Sequence, residues 1–569
     1  MTKKKILVPL TGCSGMTKRR LEVGTVAVLT VGLALLILGP LVALVTQCLF
    51  GGRPSDLWHE LSAPMTLISL RHSLWLGIGT VIGTTLIATP LALIMTRTRL
   101  ATCAWLHWLL MVPFMTPPYI NAMGWIYFFQ PHGLWSQVLH SPNFSLPVLF
   151  SPFGMTLIMS LHLYPVAYLL LRTALRQFNI RWMQAATVHG VSKWRGFTRI
   201  TLPILIGSYL SVWLLVFTRT LAEFGTPATF GRNIHFDVLT TTIQKDLSQW
   251  PLNFQNGVLT GCLLLIMALL AWGLQQWGLQ RRTVKLTSHQ PLRIDRRTGT
   301  TIGASLFTMV LGLTAIGIPY VSIITQSLFK QRGAGMVAGN WTMDHYLALL
   351  RFDSPAFHAL VTTLGLAVVI SLINLIVGLF ISCGSLNQRI PRWLRQGLQF
   401  LGALPLAVPN VVLALSLTIL FAQWFAVTKL YGTVAVLLIA DVTLFLPTTV
   451  QYLTTALREL DTGLIQSALI FEKRRSRILT RILIPVLLPA IMNSLAMAFI
   501  ATSRELVVAL LLLPAGMTVI STFIYQSFEQ GDPSQGMALA VLTVALTFII
   551  LLSANRLTNR HHDHAPVSI

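Results

Sequence analysis

Apolar runs of about 20 residues or more recur along the whole chain, and they leave it almost no fold but a bundle of membrane-spanning helices. They centre on residues 25–49, 73–96, 104–129, 150–172, 204–229 and 256–279, then on 301–327, 358–382, 398–424, 430–452, 486–513 and 534–556. The expected class is therefore an all-α integral membrane protein of about twelve transmembrane helices. A transmembrane barrel would show short alternating segments, and the sequence has none. With 54% hydrophobic and 10% charged residues, the composition excludes a soluble domain of this size.

The net charge of +24 raises nucleic acid as a partner. The placement of the charge argues against it. Arg97 and Arg99, the stretch Arg172 to Arg199 and the stretch Arg281 to Arg297 fall in alternate connections. So do Arg389 to Arg395, Arg458 to Arg481, and Arg556 with Arg560. This is the positive-inside pattern of an inner-membrane protein embedded in the lipid bilayer, with both termini in the cytoplasm. The basic start, with Lys18, Arg19 and Arg20, precedes an apolar run from Val23 to Phe50. That run is too long for a signal-peptide core and reads as an uncleaved span. Cys13, Cys48, Cys103, Cys262 and Cys383 show no paired spacing.

Part of the chain occurs twice. Gln184 to Pro203 reads QAATVHGVSKWRGFTRITLP, and Gln466 to Pro485 reads QSALIFEKRRSRILTRILIP. The copies lie 282 residues apart, and Ala186 with Ala468 and Arg199 with Arg481 keep that register. Pro165 with Pro447, Glu223 with Glu505, and Thr173-Ala174-Leu175 with Thr455-Ala456-Leu457 keep it too. Pro113 and Pro117 are echoed by Pro405 and Pro409. Polar residues and prolines in fixed register imply a fused duplication with parallel halves. Residues 1–280 form the first half, 281–300 a polar linker, and 301–569 the second half.

No catalytic constellation is present: the sequence has no HExxH, GxSxG, Cys/His cluster or GxxxxGK[ST] phosphate loop. Neither a cofactor nor a metal is expected, and His561-His562-Asp563-His564 reads as a solvated tail. The chain is not expected to be an enzyme. If the chain transports anything actively, the energy would come from an ion gradient or from a separate ATPase subunit.

The repeated loop bears on this. Gln184-Ala185-Ala186, then Gly190, then Leu202-Pro203 resemble the EAA…G…I-x-LP signature of ABC importer permeases. The family writes Glu where Gln184 and Gln466 stand. The second copy, Gln466-Ser467-Ala468 to Pro485, has Glu472 at the glycine position and Ile484 at the leucine position. Nearly the whole chain is similar to fused two-permease proteins of type I ABC importers, in particular those for ferric iron. Leu221 to Gly231, LAEFGTPATFG, and Ser503 to Leu512, SRELVVALLL, support that resemblance. It implies two cytoplasmic ATPase subunits docked on the repeated loops and a periplasmic substrate-binding protein. Its relatives carry thiamine, polyamines, sulfate and aminoethylphosphonate, so the substrate stays open. A small-residue helix would fit a partner's cleft, Gly190 would permit a turn, and Pro203 would suit the start of a span.

Arg219, Glu223, Arg504 and Glu505 fall in the fifth span of each half, and Asp441 in the tenth span. Ionisable groups at such depth are costly and face a bundle interior or a wet cavity. One reading places Arg219, Glu223, Arg504 and Glu505 on the translocation pathway. The other makes Arg219 and Glu223, four apart, an intrahelical pair. Pro113, Pro117, Pro118, Pro405 and Pro409 should kink their spans, and Gly225 with Pro227 should break the helix after Glu223. A twelve-span transporter driven by an ion gradient is the rival from another class, and a membrane scaffold a third. Neither needs the repeated loop.

Overall fold

The structure, a computed structural model, describes residues 16–52, 61–141, 146–177, 181–281, 298–460, 481 and 483–563. Among these, ten helices are long and apolar enough to cross a membrane. They are α1 (Met16–Phe50), α2 (Pro64–Arg97), α4 (Pro152–Gln177), α5 (Leu202–Ala222), α6 (Phe254–Arg281), α7 (Thr301–Ser327), α8 (Pro355–Leu386), α10 (Val434–Glu459), α11 (Ile484–Ser503) and α12 (Ser534–Asp563). The remaining two apolar runs are broken. The third, α3, consists of Ala104–Leu109, Val112–Met115 and Pro118–Phe129. The ninth, α9, consists of Arg392–Ala407 and Asn410–Trp424, which meet at 109°. The twelve apolar runs are thus mainly helical; the third and ninth are not single rods, and the fifth and eleventh break near their ends, after Ala222 and Ser503.

The breaks have a local cause. Pro117 and Pro409 lack an N–H and push the preceding residue out of the helical region. Thr116 and Val408 are indeed extended, with ψ of 138° and 121°. Pro118 then follows Pro117 as a first helical residue, where the missing donor costs nothing. Pro165 and Pro447 sit inside α4 and α10 without breaking them. Several other helices also start with proline, and α8 adds a cap in which Ser354 Oγ accepts from Phe357 N at 3.1 Å.

The chain folds as two compact units. One comprises residues 1–51, 348–526 and 542–569, the other 52–347 and 527–541. Each contains the same core. In the second unit α2 packs on α4 and α5, and α4 on α5; in the first, α8 packs on α10 and α11, and α10 on α11. The fourth span of the half is the most enclosed in the second unit: 78% of the apolar core of α4 is buried, against 33% for α2 and α5. The exposed apolar surface of α1, including Val28, Val31 and Leu35, is what a lipid-facing helix presents.

The compact units do not follow the order of the halves. α1 packs against both arms of α9 within the first unit, and α7 packs against Pro118–Phe129 of α3 within the second. Each half thus gives its first span to the unit built from the other half. The α3–α7 contact is close. A Cβ on Gly124 would lie 2.8 Å from the Pro319 backbone, and Thr116 hydrogen-bonds Tyr320 through its hydroxyl. Small residues at helix crossings are how membrane bundles gain packing, since lipid itself supplies no hydrophobic drive between helices.

Candidate functional site

Two places unite the residues singled out in the sequence. The first is the repeated loop. Arg181–Val188 is a short helix, and it ends at a turn through His189 and Gly190. Val191 N donates to Ala186 O at 2.9 Å and Gly190 N to Thr187 O at 3.0 Å. Those two bonds form a Schellman motif with Gly190 as its left-handed residue, φ +77°. The turn leads into Lys193–Gly196 and a π-helical turn, Phe197–Thr201. α5 then begins at Leu202, with Pro203 in its first turn. Ala185, Thr187, His189 and Gly190 are exposed, and Val188 is 84% exposed. Around Gly190 an added Cβ would meet nothing within 4 Å. The surface mixes small, apolar and polar residues and is open around Gly190. In the second copy Gln466, Ser467, Ala468 and Glu472 lie outside the described residues, while Pro485 is exposed in the first turn of α11.

The second place is the pair of breaks after α5 and α11. α5 ends at Ala222, so Glu223 lies just past the helix. Its Oε1 accepts from Gly225 N at 2.8 Å and Thr226 N at 3.3 Å, which caps the next helical piece. α11 ends at Ser503, and Glu505 Oε1 accepts from Val507 N at 3.0 Å and Val508 N at 3.1 Å. These amides are the same pair at an offset of 282. The pattern continues. Glu223 N donates to Thr220 O, and Glu505 N to Thr502 O. Thr240 Oγ1 donates to Glu223 O, and Ser521 Oγ to Glu505 O. Ser73 of α2 accepts from Leu239 N at 2.9 Å, and Thr363 of α8 accepts from Ile520 N at 2.8 Å. A carboxylate at the positive end of a half-helix is electrostatically favoured, and each such cap is worth about 1 kcal/mol.

Each break in a fifth span touches the break in the third span of its own half. Tyr119, next to Pro118, abuts Gly225: a Cβ there would lie 2.9 Å from Tyr119 Cβ. Asn410, next to Pro409, donates from Nδ2 to Glu505 Oε2 at 3.0 Å. The two discontinuous helices of each half therefore meet at one point, and interrupted helices in matching positions of two repeats are the best structural pointer to a transport site. Arg219 is exposed on α5, one turn before Glu223, and the two charges interact electrostatically. Arg504 and Glu505 are half-buried. Asn410 and the hydroxyls of Ser73 and Thr363 carried no signal in the sequence beyond the proline that precedes Asn410.

A family model described as binding-protein-dependent transport system inner membrane component matches the chain twice, over residues 88–284 and 374–562. The chain belongs to this family. Each match covers one repeated loop and one capped break, so the family membership rests on both halves. The chain is 22% identical over 452 residues to the ferric transport system permease protein FbpB of Actinobacillus pleuropneumoniae, covering 78% of this chain and 64% of that one. It is 21% identical over 510 residues to an ABC transporter permease protein, y4fN, of Sinorhizobium fredii, covering 86% and 87%. A 2-aminoethylphosphonate transport system permease protein, PhnV, of Salmonella typhimurium is 24% identical over 259 residues, 45% of this chain and 94% of its own length. The aligned part of the chain spans less than two thirds of the length of the ferric transport relatives. The chain is accordingly a multi-pass inner membrane protein of a transport family.

Proposed function

We propose that the chain is the membrane-spanning subunit of an ATP-driven importer, and that ferric iron is its cargo. The observation that carries this reading is the double family match, with an exposed helix, glycine turn and second helix in the place where the family resemblance expects an ATPase to dock. Two cytoplasmic ATPase subunits would engage the loops at Gln184-Ala185-Ala186 to Leu202-Pro203 and at Gln466-Ser467-Ala468 to Pro485. A periplasmic binding protein would deliver substrate at the opposite face. Closure of the ATPases would push α5 and α11 through their first-turn prolines, and the breaks after them would change the access of the pathway. Glu223 and Glu505, with Arg219 and Arg504 beside them, would border that pathway. The halves would be residues 1–280 and 301–569, joined by the linker 281–300.

Iron is favoured because the ferric transport relatives align over most of this chain. The test is uptake of radioactive ferric iron in source cells lacking the gene. Uptake should fall, and the intact gene should restore it. Unchanged iron uptake with lost growth on 2-aminoethylphosphonate would transfer the substrate assignment to the second group of relatives. Both termini and the linker would face the cytoplasm. Single cysteines at Ser288→Cys and Ala565→Cys should therefore resist an impermeant thiol reagent in intact cells, and labelling of either would reverse the orientation.

A further inference from the structure

Beneath the break after α11 lies a cavity of about 20 Å³, lined by Thr363, Asp441, Thr502, Glu505 and Ser521 together with apolar side chains. That volume holds one water-sized body. Every polar atom that these side chains present is an oxygen. Two of them are unsatisfied: Asp441 Oδ1 and Thr502 Oγ1 are buried without a hydrogen-bond partner. Asp441 is 5% exposed and Thr502 7%. A buried carboxylate oxygen with nothing to bond is costly, and inside a membrane it marks a ligand or a pathway by default.

The charge around the cavity is unequal. Glu505 is served by the amides of Val507 and Val508, by the side chain of Asn410 and by the field of the neighbouring Arg504. Asp441 has none of these, and among the described residues that line the cavity there is no basic side chain. An ionised Asp441 would carry one negative charge with no basic side chain beside it in the cavity. Hard oxygen donors select alkali and alkaline-earth cations over soft metals. A single residual charge selects a monovalent ion over a divalent one. Among the described residues no cluster of three or more His, Cys, Asp or Glu offers a stronger metal site.

We propose that this cavity is a binding site for one sodium ion, held by Asp441, Thr502 and Glu505 with the hydroxyls of Thr363 and Ser521 around it. The site belongs to the second half alone. At the offset of 282 the first half keeps Thr220 and Glu223, but Met159 takes the place of Asp441. The matching position is thus apolar, and the duplicated framework has been given a charge on one side only. The ion would tie α8, α10 and the break after α11 together, next to the point where Asn410 joins α9. The site is independent of which substrate the chain carries.

The test is saturable binding of radioactive sodium to the purified full chain in lipid nanodiscs, with choline balancing the ionic strength. One saturable site per chain is expected, competed by unlabelled sodium and not by choline. Asp441→Asn should abolish it, and Met159→Leu should leave it unchanged. Thr502→Val removes one ligand and leaves every charge in place, so it should weaken binding by about tenfold. It carries the test if Asp441→Asn fails to reach the membrane. No saturable sodium in the unaltered chain, or equal binding in Thr502→Val and Asp441→Asn chains, overturns the proposal. A cavity that holds only a water or a shared proton gives that result.

Discussion

Glu223 and Glu505, 282 residues apart, each take two backbone amides of the helical piece that follows them. The equivalence extends to the hydroxyls that hold the two carbonyls, Thr240 and Ser521. A carboxylate so engaged organises a helix break and still leaves its second oxygen for another partner. Capping is a role beside the two weighed in the sequence, pathway lining and an Arg219–Glu223 pair. Glu505 spends the second oxygen on Asn410.

The capping role predicts a graded response. Glu505→Gln keeps an acceptor oxygen for Val507 N and Val508 N, whereas Glu505→Ala leaves both amides bare. The alanine variant should be less stable than the glutamine variant by about 1–2 kcal/mol. Thermal melting of both in the same detergent measures the difference. Equal melting temperatures would remove the cap from the account of this break.

At Gly190 the backbone is left-handed and the space around it is empty. A Cβ there meets nothing within 4 Å among the described residues, so its cost is the backbone strain, about 1 kcal/mol. Gly190→Arg should therefore fold and insert at normal levels. It should nonetheless lose the ATPase on co-purification, or keep the ATPase and lose uptake, because the bulky side chain stands where a partner would approach. Gly190→Asn, whose residue tolerates the left-handed region, should keep more of both. Normal ATPase retention and uptake in Gly190→Arg would end the docking assignment.

The crossing of α3 and α7 should tolerate no added volume. Gly124→Ala forces its Cβ to 2.8 Å from backbone atoms of Pro319, which cannot swing aside as a side chain could. A loss of about 1–3 kcal/mol is expected. Gly365→Ala on α8, where a Cβ would meet nothing within 4 Å, is the control and should be near neutral or slightly stabilising. Comparable melts for the two variants would mean the crossing is looser than described.

Much of this architecture could be read before any coordinates. The apolar runs mark the spans because lipid demands that length, and the 282-residue register survives because prolines and charges are rare in spans. The proline clusters at Pro117 and Pro409 announced breaks, though not a bend of 109°. Gly225 and Pro227 announced the break after Glu223. Its counterpart after Glu505 has Leu506, Val507 and Val508, which carry no breaking signal, and only the register of the repeat points to it. Which span packs on which was beyond reach. Lipid-facing apolar helices look alike in composition, so nothing in α1 names α9 as its partner. The meeting of Asp441 with Glu505 was equally hidden, since 64 positions and a change of helix separate them.

The exchange of first spans sets a timetable for biosynthesis. α1 leaves the ribosome more than 300 residues before either arm of α9 exists. At about 5–20 residues per second, that is a wait of roughly twenty seconds to a minute. α7 faces no such delay, because α3 precedes it. α1 must therefore persist as a lone helix in the bilayer, and its makeup allows it to. From Val23 to Phe50 it has no charged residue, and among the described helices its mean hydropathy of 2.7 is matched only by that of α8. A charge placed on α1 would be felt first as a failure to wait in lipid, before any contact with α9 is lost.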